Sequence, residues 1–388
     1  MSKNKLLSVI LIVIIYLIFT GVSYMFFSGN SVASNAKTPI PTIGISGDLV
    51  FDNTLPKTES CPMNGTLYSK QQKDWWEKHR PLGIMVENHQ EARPQSGLSS
   101  ADVVYEAVAE GGITRFLSIF YCQSAEEVGP IRSARTYFLD FVSEYGASPL
   151  YAHVGGANQD GPADALSQIE DYGWSEVNDM NQFSIGFPTF WRDYDRLGHP
   201  AATEHTMYST TEKLLQFAAT SRGLKVKDKN GIPWTKGFIP YAFKEDASTS
   251  QRPTSQTIHL EFWTTNSAYA VDWIYEPIAN IYKRNNGGVA HIDRNTNKQL
   301  TAKNIAVLRM VETNANDGYE NNLHLLYKTK GSGKASIFMD GKQVMGTWKK
   351  DSRTARTLLF DGAGSAIKFD RGTIWFEILP TDGIVTVK

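Results

Sequence analysis

The chain has 388 residues, 41% of them hydrophobic and 12% aromatic, enough for two domains with real cores. Its net charge is −1, so no global basic field points to nucleic acid or an anionic membrane surface, and any anion site has to be local. The two cysteines, Cys61 and Cys122, lie in no CxxC motif and no Cys/His cluster, which argues against thiol redox catalysis and a zinc knuckle.

The first predicted element is the uncharged apolar run at 6–27, LLSVILIVIIYLIFTGVSYMFF, long enough to cross a bilayer as one helix. Lys3 and Lys5 precede it, so a short N-terminus is expected in the cytoplasm and the remainder outside. An uncleaved anchor over 1–28 is favoured over a removed signal peptide, for which Ser34-Asn35-Ala36 offers a cleavage site. The expected location is the cell membrane, single-pass, with the folded domains extracytoplasmic. Residues 29–60, rich in Ser, Thr, Pro and Gly, read as a linker. In an oxidising compartment Cys61 and Cys122 are candidates for a disulfide, with two small buried hydrophobes as the alternative. Closing that loop stabilises the fold by roughly 4 kcal/mol in the loop-entropy treatment.

Strand and helix then alternate over 61–225, which predicts an α/β domain. SKQQKDWWEKHR (69–80) has helical character and LGIMVENH (82–89) reads as a buried strand. ADVVYEAVAEG (101–111) and TRFLSIFYC (114–122) read as a hairpin split by Gly111-Gly112, with a short helix as the alternative for the first. In GPIRSARTYFLDFVSEYG (129–146), Ala134, Phe138, Phe141, Val142 and Tyr145 recur at three- and four-residue steps. That spacing predicts an amphipathic helix starting near Pro130 or Ser133. PLYAHVGG (149–156) reads as a strand, 162–170 as a small helix and TTEKLLQFAATSRG (210–223) as a closing helix. Residues 226–256 are polar and punctuated by turn formers, a connecting region. From 257 to 388, short β-branched or aromatic segments predict a mostly antiparallel β domain, giving a mixed α+β class overall.

Arg132 and Arg135 fall in the first turn of the predicted 129–146 helix, where exposed N–H groups favour negative charge. Two sources of that charge compete. Glu106 or Glu110 can pair internally with the arginines, or the arginines and free amides hold an external phosphate, carboxylate or anionic glycan. Glu87, Asn88 and His89 end one strand, Arg115 follows the Glu110-Gly111-Gly112 corner, and His153, Gly155 and Gly156 end another strand. Such positions converge where ligands bind in α/β domains. The candidate ligand-binding residues are therefore Arg132, Arg135, Arg115, Glu87, His89, Gly155 and Gly156. Candidate acid/base groups are His153, His205, Glu106 and Glu110, with no catalytic assignment.

A second polar cluster, FWRDYDRLGHPAATEHTMY (190–208), gathers Arg192, Asp193, Asp195, Arg196, His199, Glu204 and His205. His199, Glu204 and His205 carry metal-binding groups, but the spacing is not HExxH and no metal site is expected. No cofactor is expected either. KGSGKA (330–335) lacks the P-loop spacing and reads as a hairpin turn, DGAGSAIKF (361–369) lacks a following helix, and no GxSxG elbow occurs. Trp263, Trp273, Trp348 and Trp375 read as core aromatics, with a carbohydrate platform as the alternative.

The blocks RPLGIMVENHQEARPQSGLSSADVVYEAVAEGGITRFLSIFY, VGPIRSARTYFLDFVSEYGA and YAHVGGA resemble the N-terminal domain of the YerB-like family of bacterial envelope proteins. The stretch from WIYEPIANIYKRNNGGVAHIDRNTNKQLTAKNIAVL through GTWKK and GTIWFEILP is similar to that family's C-terminal domain. The resemblance covers roughly 60–385 and implies a two-domain, extracytoplasmic fold of unknown function, with no reaction to carry over. Two departures stand out. The family's namesake is regarded as a lipoprotein, whereas no cysteine lies near the apolar run here, and only His205 and Tyr208 match the family around TEHTMYST.

These features together predict a membrane-anchored envelope protein that binds an anionic cell-wall or partner group, with no nucleic acid. The alternatives are a hydrolase or transferase acting on a phosphodiester or glycosidic bond, and a structural adaptor for other envelope proteins.

Overall fold

The computed structural model describes residues 41–43 and 49–388. The apolar run at 6–27 and the candidate cleavage site lie outside them. Among the described residues, no helix is long and apolar enough to cross a membrane.

A ten-stranded mixed sheet organises the molecule. In chain order its strands are β1 (Leu82–Glu87), β2 (Val103–Glu110), β3 (Ile113–Phe120), β4 (Leu150–His153) and β5 (Asp179–Asn181). Five more come from the second half: β9 (Asn304–Met310), β10 (Gly331–Met339), β11 (Lys342–Lys350), β12 (Leu358–Asp361) and β13 (Ile374–Pro380). The spatial order is β12-β11-β10-β9-β13-β2-β3-β1-β4-β5. β13 runs parallel to β9 on one side and to β2 on the other, so strands of the two halves share one hydrogen-bonded sheet. The residues between β5 and β9, joined by the segment after β13, supply a smaller sheet built on β6 (Thr257–Glu261), β7 (Val271–Glu276), β8 (Ile281–Asn286) and β14 (Ile384–Val387), with each neighbouring pair antiparallel.

Among the described residues the helices are few and short: α1 (Lys70–Trp76), α2 (Thr136–Val142), α3 (Ala165–Asp171) and α4 (Thr211–Ser221), with a single turn at Gln182–Ile185 between the last two. Ser69, Asp164 and Thr210 cap α1, α3 and α4, each accepting a backbone N–H of the first turn. The 101–122 stretch is a hairpin, and the short-helix alternative for 101–111 is excluded. Gly111 and Gly112 both take positive φ, as a two-residue turn matching strand twist requires.

Two expectations are corrected. The helix expected over 129–146 is only α2, with Arg135 in extended conformation as its N-cap residue. Residues 128–131 instead add backbone pairs to β1 and to 207–209, because their amides find partners in neighbouring strands. KGSGKA is no turn. Gly331 to Met339 all pair along β11, and Asp340-Gly341 makes the reversal, so a continuous ladder outweighs the poor strand preference of glycine.

Cys61 and Cys122 form a disulfide. It ties the segment before α1 to the end of β3, where the Asp102 carboxylate accepts from the amides of Tyr121 and Cys122 at 2.8 Å. Trp273, Trp348 and Trp375 are core residues, so the platform alternative fails for these three.

Candidate functional site

The site forms where β1 ends, and backbone register assembles it. Glu87 is the last residue of β1 and lies opposite Arg115 of β3. On the other flank, Glu87 N donates to Pro130 O at 2.9 Å and Arg132 N to Met85 O at 3.0 Å, which sets Arg132 beside Glu87. A third segment follows, since Ile131 N donates to Met207 O at 2.7 Å and delivers the adjoining His205. A side chain at Gly129 would meet Met207 O and the Tyr208 ring at under 3 Å, so only glycine lets these segments approach.

Two guanidinium groups and an imidazole crowd one carboxylate. Arg132 Nε donates to Glu87 Oε1 at 3.1 Å and His205 Nδ1 to Oε2 at 2.8 Å, while Arg115 Nη1 donates to Ser133 O at 2.8 Å. Burial works against ionisation of Glu87, but the His205 hydrogen bond and the Arg132 and Arg115 charges outweigh it and hold its pKa below the ordinary value. The bond to Glu87 raises the His205 pKa against the effect of burial. Arg115, pushed down to about 10 by burial and then by Arg132, remains charged at neutral pH. The Arg132 side chain is 26% exposed while Glu87 is only 5% exposed, so the positive partner faces solvent. The His89 ring stacks on His205 with centroids 4.8 Å apart, and Glu91 Oε2 lies 3.5 Å from His205 Nε2.

Residues 67–225 match the N-terminal domain, and 258–376 the C-terminal domain, of the family described as "Protein of unknown function (DUF3048)". The chain is 30% identical over 305 residues to a Bacillus subtilis (strain 168) protein described as "Putative lipoprotein YerB", covering 78% of this chain and 82% of that protein. The chain belongs to the YerB-like family. The crystal structure of YerB from Bacillus subtilis agrees in fold, with a TM-score of 0.69 at 27% identity, covering 85% of this chain and all of that one.

Within this YerB-like chain, several candidates turn out to be internal. Arg135 is buried and ion-paired with Glu110, and it also donates to Ala134 O at 2.6 Å. That pairing removes Arg135 from a solvent-facing site, while Glu110 keeps a 26% exposed side chain with its charge committed to Arg135. Glu106 is fully buried, bonded to Thr114 Oγ1 at 2.6 Å and ion-paired with Arg284. His153 is likewise sealed, its Nε2 on Asp179 Oδ1 and its Nδ1 on Gly155 O, each at 2.6 Å. Neither group has a nitrogen or oxygen free for proton transfer to a guest. Gly155 is spent on backbone contacts, its N–H on Asn181 Oδ1 and its O on Ala134 N, and Gly156 packs against Leu166.

The 190–208 cluster divides in the same way. Arg196 bonds Ser96 and Glu127, and Asp193 accepts from the amides of Asp195 and Arg196. His199 lies on the carbonyls of Pro200 and Arg93. Only His205 reaches Glu87. Tyr208 is buried, with no hydrogen-bond partner for its hydroxyl among the described residues. Sequence reasoning missed Glu91: the His89-Gln90-Glu91 spacing is the one local signal, and the closeness of His205, far away in the chain, has none.

Proposed function

We propose that this chain is a membrane-anchored, extracytoplasmic envelope protein that binds an anionic group of the cell wall or of a partner at Arg132. The observation that carries the reading is the shared carboxylate. Arg132 and Arg115 share Glu87 with the His205 ring, and of these Arg132 is the one whose side chain meets solvent. The apolar run at 6–27 behind Lys3 and Lys5 supports the anchor, and the lipoprotein description of the Bacillus subtilis relative supports an envelope setting.

The test replaces Arg132 by Gln in the full chain and measures retention on purified cell-wall fractions across a salt series. Retention that weakens in R132Q, with circular dichroism unchanged and a shallower salt dependence, supports the site. Equal retention by both proteins overturns it.

A second reading rests on the 2.8 Å bond between Glu87 and His205, a carboxylate orienting an imidazole as in many acid/base pairs. On that reading the chain hydrolyses or transfers a phosphodiester or glycosidic bond. Release of soluble fragments from wall material, abolished in His205→Gln, distinguishes it from binding alone.

A further inference from the structure

We propose that His89, Glu91 and His205 form a binding site for a divalent transition metal of the zinc class, with two imidazoles and one carboxylate as ligands and the remaining positions open to solvent. Each side chain offers one ligand atom, and these atoms lie within 4.8 Å of one another. His89 and Glu91 flank one residue in the turn at Gln90–Ala92, while His205 closes the turn at Thr203–His205. The site shares His205 and Glu87 with the proposed anion site but does not need an anion bound at Arg132.

The geometry of His205 carries most of the argument. Its Nδ1 is held by the Glu87 carboxylate at 2.8 Å, and its Nε2 points toward Glu91 Oε2 at 3.5 Å. Metal-bound histidines almost always give their far N–H to an acceptor such as a carboxylate, a backbone carbonyl or a water, because this fixes the tautomer and strengthens the near nitrogen as a donor. A separation of 3.5 Å is long for a hydrogen bond. It is close to the roughly 3.4 Å between two ligands that each stand about 2.1 Å from a tetrahedral zinc.

His89 must turn to complete the site. Its ring lies nearly parallel to His205, with planes 7° apart, and face-to-face imidazoles do not aim their lone pairs at one point. The movement is cheap, since His89 is only partly buried and its Nδ1 accepts one long bond, from Glu91 N at 3.3 Å. Arg132 brings positive charge nearby, but Glu87 is its partner and Glu91 adds a second carboxylate. Two imidazoles and a carboxylate with open positions is a donor set that zinc and neighbouring divalent metals accept. The other metal-binding groups of the 190–208 sequence, the His199 imidazole and the Glu204 carboxylate, are exposed and outside this group.

The experiment uses the full chain in detergent, untagged and stripped of metal with a chelator. Zn²⁺ is titrated by calorimetry and Co²⁺ by visible absorption. One equivalent of uptake is expected, with Co²⁺ bands of a four- or five-coordinate centre, and affinity rising with pH as the imidazoles release protons. Glu91→Gln, at an exposed side chain, keeps the circular dichroism spectrum and weakens binding at least tenfold. His89→Gln does the same, while His199→Gln leaves affinity unchanged. Absence of stoichiometric uptake by the unaltered chain overturns the proposal, as does uptake that E91Q and H89Q leave intact.

Discussion

Lys350 Nζ donates to Glu144 Oε2 at 2.9 Å, and both side chains are sealed from solvent. Glu144 lies in the N-terminal family region and Lys350 in the C-terminal one. The same carboxylate accepts from Arg356 Nη1 at 3.1 Å, Thr357 N at 2.8 Å, Thr357 Oγ1 at 2.7 Å and Tyr105 OH at 2.6 Å. Burial opposes the charge on Glu144, but Lys350 and Arg356 more than offset it and its pKa falls below the usual range. A buried pair with every lone pair satisfied is costly to break, because the surviving partner is left charged and uncompensated.

Replacing Glu144 by Gln is therefore expected to destabilise the chain by about 3 kcal/mol or more. Urea unfolding followed by tryptophan fluorescence measures this as a lower midpoint with an unchanged slope. A loss under about 1 kcal/mol would mean that the pair contributes little to joining the halves.

A related expectation concerns the halves themselves. β13 fills the position between β9 and β2, so a chain ending at residue 225 leaves the edge of β2 exposed along Val103 to Glu106. Such a fragment is expected to lack a cooperative urea transition and to aggregate. Co-expression with residues 226–388 restores a single transition. A sharp transition for the fragment alone would show that the shared sheet is dispensable.

Much of this was legible in the sequence, and the exceptions have physical reasons. The hairpin at 101–122 announced itself through two glycines between β-rich runs, and the helical stretches at 69–80 and 210–223 hold α1 and α4. The 129–146 stretch misled because its apolar spacing continues past the true helix start. Its first residues take backbone partners from β1 and 207–209, a tertiary choice that periodicity does not encode. The arginines of the site were visible, but their sorting was not. Whether Arg132 or Arg135 meets solvent depends on which glutamate each finds, Glu87 or Glu110. The parallel placement of β13 against β2 joins residues far apart in sequence and has no local signature.

The disulfide offers a third check. It closes a sequence separation of 61 residues, and loop entropy alone gives a contribution of roughly 4 kcal/mol. The double replacement Cys61→Ala and Cys122→Ala is expected to lower stability by about 2–4 kcal/mol, and dithiothreitol to do the same to the unaltered chain. Reductant should have no effect on the double variant. An equal midpoint with and without reductant in the unaltered chain would show the bond to be absent or energetically silent.

The last expectation is a pH effect centred on His79. Its ring is buried edge-on to Trp75 at 4.5 Å and to Tyr121 at 5.4 Å. Nδ1 donates to Arg80 O at 3.2 Å, and Nε2 is buried with no hydrogen-bond partner among the described residues. A proton on Nε2 would therefore sit without an acceptor, and burial pushes the pKa down from 6.5 to about 4. The unfolded chain binds a proton here as pH falls through about 6.5, whereas the folded chain holds off until about 4. Unfolding takes up a proton in that window, so stability falls as pH drops from 6.5 and levels off below 4. The full loss is on the order of 3 kcal/mol. Carboxylates titrate near the same range, so the comparison is with His79→Phe, which keeps a ring against Trp75 and Tyr121. Urea midpoints between pH 7.5 and pH 4 should fall less steeply in H79F than in the unaltered chain. Parallel curves would remove His79 as a source of acid sensitivity.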